Sequence, residues 1–506
     1  MADYFLETRN VSKAYAGVQA LEDVSLNIGR GEIHCLVGEN GSGKSTMIKI
    51  IGGVVQPDTG EIVYNGTTYK HVRAIDAICE GVQIIYQDLS LFPNLTVAEN
   101  ISLNQMVERG AKMLDWGTMR GIAREALQEL GESIDLNEIV ENLSMAKKQV
   151  VAISRALTQN AKLIIMDEPT SALTREEVEH LFSVIHTLKD KGIATLFVSH
   201  KLNEVFEIAE NVTVLRDGKK VGDFGASELD GDRLTYLMTG QTLEYEYYTY
   251  RPEAAETPVL ELRNLTRTNE YRDISFRLQR GEILGITGLI GSGRTELALS
   301  LFGMTRAEKG EILVDGRPAR IFSPQDAFRY GIAYLPEDRL ARGIFGYQSV
   351  GDNIVVTILK RLLDALGLID GQKKDDYEKD WIKSLAIRTP SQETPASSLS
   401  GGNQQRVVLA KWLATDPKVF ILDGPTIGID IASKGNIHRI IRDLAEQGMA
   451  FIMISDEIEE VLRNCNRVLI MKKGRIAGEI TNPAEAKEED VFEMVRSEIN
   501  DEVATA

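Results

Sequence analysis

The sequence predicts an α/β protein built as two tandem domains of one design, and three observations carry that prediction. Two phosphate-binding loops lie 250 positions apart, Gly38-Glu-Asn-Gly-Ser-Gly-Lys44-Ser45 and Gly288-Leu-Ile-Gly-Ser-Gly-Arg294-Thr295. The first loop sits between an apolar strand-like run and a helix-like run, as a strand–loop–helix phosphate cradle requires. Further paired segments recur at nearly the same offset along both halves. A length of 506 residues alone suggests about three domains, but the repeat replaces that prior with two copies of about 250 residues, each long enough to bury a core.

The first loop fits G-x-x-x-x-G-K-[ST]. Its glycines Gly38, Gly41 and Gly43 let backbone N–H groups, with Asn40 among them, surround phosphate oxygens while Lys44 reaches the terminal phosphates. The Ser45 hydroxyl is placed for magnesium, and Thr46 continues into a helix whose N-terminus favours negative charge. Glu32–Val37 reads as the buried strand before it. In the second loop Gly288 and Gly293 keep the glycine frame and Thr295 keeps the hydroxyl, but Arg294 replaces the lysine.

Following the repeat, Gly81-Val-Gln-Ile-Ile-Tyr-Gln87-Asp88 pairs with Gly331-Ile-Ala-Tyr-Leu-Pro-Glu337-Asp338, each a strand ending in a polar loop. Leu143-Ser144-Met145-Ala146 pairs with Leu399-Ser400-Gly401-Gly402, each entering an amphipathic helix. Leu163-Ile-Ile-Met-Asp167-Glu168-Pro pairs with Phe420-Ile-Leu-Asp423-Gly424-Pro, and Phe197-Val-Ser-His200 with Met453-Ile-Ser-Asp456. A buried strand ending in Asp-Glu places one carboxylate for magnesium and the next where it can polarise an attacking water. That chemistry is nucleotide hydrolysis.

Order, spacing and the Leu-Ser-Gly-Gly signature together resemble the ATP-binding cassette (ABC) superfamily over both halves. Two fused cassettes carrying Gly-Glu-Asn-Gly, Gly-Arg-Thr-Glu, Pro-Glu-Asp-Arg339 and Leu-Ser-Gly-Gly-Asn-Gln-Gln resemble the ATPase subunit of bacterial ribose, xylose and galactoside importers. The resemblance implies a P-loop, RecA-like core in each cassette, with an antiparallel β subdomain and a helical subdomain. The expected organisation is a first cassette over 1–242, a linker over 243–258, a second cassette over 259–495 and a tail over 496–506. It also implies ATP and Mg2+ as cofactors, integral membrane permease subunits as partners, an extracytoplasmic sugar-binding protein as an indirect one, and a peripheral place on the cytoplasmic face of the inner membrane.

In that family the two cassettes pair head to tail, so each nucleotide meets one copy's loop and the other copy's signature. Sorted this way, Gly43, Lys44, Ser45, Gln87, Asp167, Glu168 and His200 join Ser400, Gly401 and Gly402 in a site that matches the consensus throughout. Ser45, Gln87 and Asp167 are its expected metal ligands, with Glu168, His200 and Gln87 its catalytic groups. Arg294, Thr295, Glu337, Asp423, Gly424 and Asp456 join Ser144, Met145 and Ala146 in a second site degenerate at most positions. The family leads one to expect Asp-Glu-Pro where this chain has Asp-Gly-Pro, so hydrolysis at the second site is further in doubt.

Arginine keeps the charge but not the lysine geometry, and Gly424 brings no carboxylate to orient water. Met145 and Ala146 replace glycines where backbone must approach phosphate. The expected outcome is one hydrolysing site and one that binds ATP or ADP as a clamp.

Tyr15 holds the position of an aromatic that stacks on adenine, and the second half has no obvious equivalent. Stretches 94–142 and 348–398 read as helical, including an amphipathic run from Trp116 to Leu130. The acidic, proline-punctuated segment 245–258 reads as the linker, with a docked aromatic segment as the alternative.

A formal charge of −18 without a basic stripe argues against nucleic acid as a main partner. Three scattered cysteines show no metal or disulfide spacing and point to a reducing setting. No signal peptide and no run of 18 apolar residues appears, so a membrane role is expected to come through partners. A soluble twin-cassette protein of the ribosome-binding kind is the rival from another class. It needs a long basic helical linker, whereas this linker is short and acidic. A regulatory cassette pair is a third reading.

Overall fold

Apolar runs bounded by glycine and polar turns set the strands. Ile33–Val37 and the first four residues of Leu163–Asp167 are wholly buried, as strands covered on both faces must be. The computed structural model describes residues 4–496 apart from 16, 109–114, 171–172, 200, 241–247, 249, 251–256 and 290. The chain divides into two units, residues 1–243 and 244–506.

In the first unit a six-stranded sheet runs in the order Lys219–Gly225, Asn211–Arg216, Ile33–Val37, Ala194–Ser199, Leu163–Asp167, Val82–Ile85. Its strands are parallel except Lys219–Gly225, which closes one edge as a hairpin. A separate antiparallel sheet pairs Tyr4–Tyr15 with Val18–Gly29 and Thr59–Tyr64, and the last of these with Thr67–Tyr69. Helices Val97–Glu108, Trp116–Glu129 and Met145–Leu157 form the helical part. The Asp115 carboxylate caps the second of them on the Gly117 and Thr118 N–H groups.

The second unit repeats the plan. Its six-stranded sheet runs Ile332–Leu335, Val419–Asp423, Ala450–Ile454, Ile283–Gly288, Arg467–Lys472, Arg475–Ile480, the same order read from the other edge. Its antiparallel sheet is Tyr271–Leu278, Leu260–Arg267, Lys309–Val314 and Arg317–Pro318. Helices Val350–Val355, Gly371–Ser384 and Gly401–Leu413 make its helical part, with a 3-10 stretch over Val356–Leu362. The expected α/β fold with β and helical subdomains is therefore present in each unit.

In both units the phosphate loop leaves the C-terminal end of a central parallel strand, where open α/β sheets gather ligands. The next parallel strand but one ends in Asp167 in the first unit and in Asp423 in the second, so the topology brings these carboxylates to the loops' end of each sheet. In the linker region Tyr248 is docked on the second unit. Its hydroxyl donates to the Gly281 carbonyl at 3.0 Å and its own carbonyl accepts from Asn466 Nδ2 at 2.9 Å. Most of 243–258, and 497–506 of the expected tail, lie outside the described residues. Among the described residues no helix is long and apolar enough to cross a membrane.

Candidate functional site

The first loop turns into its helix at Gly43, whose φ of 103° only glycine adopts at ease. A Cβ there would also stand 2.6 Å from the Ala20 carbonyl oxygen. The helix Lys44–Ile51 then buries Met47, Ile48, Ile50 and Ile51, which fixes its N-terminus against the loop. Lys44 Nζ donates to the Gly38 and Glu39 carbonyls at 2.7 and 2.9 Å, and its side chain is buried. Burial pulls Lys44 below the ordinary lysine range, opposed by Glu168, Asp167 and Glu39. Gly41, Asn40 and Ser45 are exposed at the loop's mouth, while the buried Ser42 hydroxyl has no partner among the described residues. A cradle of positive-φ glycine, a cation folded onto backbone carbonyls and an orphaned hydroxyl fit a phosphate group.

Asp167 ends its strand half-buried. Burial first, then Glu168, pushes its carboxyl up, while Lys44 and Lys49 oppose this. Glu168 follows with φ 48°, a left-handed conformation that costs a non-glycine residue of order 1 kcal/mol and is held by its N–H donating to the Val198 carbonyl at 3.0 Å. Gln87 is exposed in the loop after Val82–Ile85. Tyr15 is 45% exposed at the end of its strand, with Lys13 Nζ 5.7 Å from its ring centre. His200 lies outside the described residues.

Around the second loop the same backbone carries different side chains. Gly293 takes φ 97°, and Ser292, like Ser42, has a buried hydroxyl without a partner among the described residues. Arg294 does not fold onto its own loop: Nη1 donates to the Ser455 carbonyl at 3.0 Å and Nη2 to the Asp456 carboxylate. Both Asp423 oxygens are engaged, Oδ1 by the Thr295 hydroxyl at 3.4 Å and Oδ2 by the Tyr334 hydroxyl at 3.0 Å. Burial pushes Asp423 up to about 6 against those two hydrogen bonds, and Glu337 adds to the rise.

Gly424 has φ 59°, close to that of Glu168, so both units build this turn in the left-handed region and the second has the residue that adopts it without strain. A Cβ at 424 would meet Ile427 Cδ1 at 2.4 Å and Glu337 Cγ at 3.3 Å. Ile427 and Glu337 thus occupy the space a carboxylate side chain at 424 would need.

The strand-end segments rest on one buried glutamate in each unit. Glu204 accepts from Thr170 at 2.7 Å and Ser199 at 2.9 Å, and Glu460 accepts from Thr426 at 2.6 Å and from Ser455. Burial would raise Glu460, yet His438 foremost, 3.0 Å away, with Lys434 and Ser455, holds it down at about 2.

Ser144 and Ser400 each start a helix, Met145–Leu157 and Gly401–Leu413. Gln149 and Gln405 tie these helices to the Pro169 and Pro425 carbonyls at 2.8 and 2.7 Å. Gly402 is demanded inside its own unit, since a Cβ would stand 2.2 Å from Ser433 Oγ. At Gly401 a Cβ would stand 2.8 Å from Arg339 Nη2.

Sequence reasoning missed three contributors. Arg339 donates to the Ile427 and Gly428 carbonyls at 2.7 and 3.0 Å and to Gln404 at 3.3 Å, stapling the signature helix to the turn after Gly424. In the sequence repeat Tyr334 and Ile427 pair with Ile84 and Ser171. Those two mismatches were available at offsets of 250 and 256, but what they touch was not.

The model of the ABC transporter family matches residues 21–171 and 271–427, one segment in each unit. The chain belongs to the ABC transporter family. Among its relatives, a ribose import ATP-binding protein of Rubrobacter xylanophilus is 43% identical over 95% of this chain and 95% of its own length. An arabinose import ATP-binding protein of Azospirillum brasilense is 41% identical over 93% of this chain and 90% of its own. Among solved structures, a nucleotide-free ATP-binding cassette from an ABC transporter aligns with 44% of this chain and 91% of that one, at 25% identity and a TM-score of 0.40. This ABC transporter chain therefore carries two cassettes whose loops share a backbone and differ in the side chains that line them.

Proposed function

We propose that this chain is the ATP-hydrolysing subunit that powers monosaccharide uptake through separate membrane permease subunits, from the cytoplasmic face, with hydrolysis confined to the first unit's nucleotide. The observation that carries the confinement is the pair at the strand ends: Glu168 beside Asp167 and Lys44 in the first unit, Gly424 covered by Ile427 and Glu337 in the second. The sugar assignment is supported by relatives named for ribose and arabinose import that align over nearly the whole chain.

In this reading the backbone N–H groups of 38–46 hold the phosphates, Lys44 leaves its loop carbonyls for the terminal phosphate, and Tyr15 stacks on adenine. Mg2+ when bound neutralises charge on the phosphate oxygens, and Ser45, Asp167 and Gln87 are the residues that would hold it. Glu168 orients the attacking water and accepts its proton, and His200 contacts the terminal phosphate. Ser400, Gly401 and Gly402 serve the same nucleotide, the pairing that the family resemblance implies. The second unit holds nucleotide without turning it over. Closure on ATP and reopening after hydrolysis then drive alternating access in the membrane partners.

Paired substitutions test the asymmetry. Lys44→Ala is expected to lower ATPase activity by at least about 10²-fold, while Arg294→Ala leaves it within about threefold of the native chain. Equal losses from both would contradict the assignment.

A further inference from the structure

Resting on the reading that the second loop holds nucleotide without turnover, we infer that this second site selects a nucleoside diphosphate over a triphosphate, because the protein's own carboxylates already fill the space a third phosphate would need.

The two loops offer the same cradle for the first two phosphates. Gly293 at φ 97° matches Gly43 at 103°, and each leads into a helix of eight residues whose first N–H groups are turned to the loop. Ser292 is 4% exposed, its hydroxyl has no partner among the described residues, and Oγ lies 3.1 Å from where a Cβ on Gly288 would stand, so it points into the loop. An unpartnered buried hydroxyl inside a loop of N–H donors is a place for an anion.

Beyond that cradle the loops diverge. Lys44 is held by two neutral carbonyls, so a terminal phosphate gives it a stronger, charge-assisted partner. Arg294 is already held by a carboxylate, Asp456, and a terminal phosphate would have to exchange one anion for another. The pair is not loosely placed. Thr287 donates to the Ser455 carbonyl at 3.0 Å, Glu457 N–H donates to Ser455 Oγ at 3.1 Å, and the Ser455 hydroxyl donates in turn to Glu460. Asp456 is therefore carried on an anchored backbone beside the loop.

Asp423, like Asp167 at the first loop, lies close to the loop's cation, and Glu337 stands beside Gly424 with its Cγ 3.3 Å from where a Cβ would be. Asp456 and Glu337, which replace the histidine and glutamine of the first unit, thus add negative charge around a guanidinium that is already paired. A third phosphate brings more negative charge beside these carboxylates, and like charges repel. A diphosphate ends before it. The exchanges Lys→Arg and His→Asp, read singly as losses, act together as a plug of fixed length.

The test uses the full chain carrying Lys44→Ala, so that the first loop is silent, and magnesium with a fluorescent ADP displaced either by ADP or by a non-hydrolysable ATP analogue. One nucleotide per chain is expected, with the diphosphate bound roughly tenfold tighter or more, about 1.4 kcal/mol. Adding Asp456→Asn should bring the two affinities together by strengthening the triphosphate and leaving the diphosphate unchanged. Equal or tighter triphosphate binding overturns the inference, as does a ratio that Asp456→Asn leaves alone. Binding of neither nucleotide overturns it together with nucleotide holding at the second loop. Confinement of hydrolysis to the first unit is read from activity and stands or falls separately.

Discussion

Glu168→Gln lowers steady-state ATP hydrolysis in the assembled complex by about 10²- to 10⁴-fold while nucleotide binding persists. Glutamine has the size and shape of glutamate but cannot accept a proton from water, so the loss falls on the chemical step. Binding is spared because Lys44, Ser45 and the loop backbone are untouched. Lys44 loses one of the carboxylates that hold its charge, yet Asp167 and Glu39 remain. The size of the effect depends on the second unit. Two competent sites would leave about half the activity, but Gly424 supplies no carboxylate and Asp423 has both oxygens engaged by Thr295 and Tyr334. Residual hydrolysis in the range of half the native rate would show that the second unit turns over.

Gly424→Glu, the change that writes the missing glutamate back, is expected to destabilise the chain by about 1–3 kcal/mol and to recover no activity in a Glu168→Gln background. The residue sits at φ 59°, which every residue but glycine adopts at a cost, and its Cβ would lie 2.4 Å from Ile427 Cδ1. At the matching position of the repeat, 171, the first unit has serine. Adding Ile427→Ser should return the part due to that contact, read as the denaturation midpoint, and leave the backbone strain. It should return no hydrolysis, since Arg294 stays bound to Asp456. Recovered turnover from Gly424→Glu alone would mean that the second loop's geometry is intact and only the base is missing.

Much of this was legible in the sequence because it depends on local pattern. The loops at 38–45 and 288–295, the buried strands behind them and the helices after them follow from glycine spacing and apolar runs. A nearly constant offset, 250 and then 256, predicts that both units share one topology, and the two six-stranded sheets have the same order. The list of degenerate positions was legible too, as residue identities. Their consequences were not. Lys→Arg at 294 and His→Asp at 456 read as two independent losses, yet the side chains meet across 162 positions. Arg339 reaches carbonyls 88 and 89 residues away, and no periodicity reports such a contact. Gly424 reads as the loss of a base, whereas the backbone shows it also relieves a strained turn that Glu168 endures.

Gly402 marks a different limit. From the sequence a glycine there reads as room for phosphate approach, but Ser433 within the same unit already excludes a side chain, so part of the signature's glycine requirement is internal packing. Met145 and Ala146 then show that the first unit packs this corner differently.

The most direct test of the whole account is the ATPase rate of this chain in liposomes with its membrane partners and a sugar-binding protein, measured across a panel of pentoses and hexoses. One sugar is expected to stimulate hydrolysis severalfold, and Glu168→Gln to remove the stimulated rate. A rate indifferent to every sugar, with all components present, would contradict it.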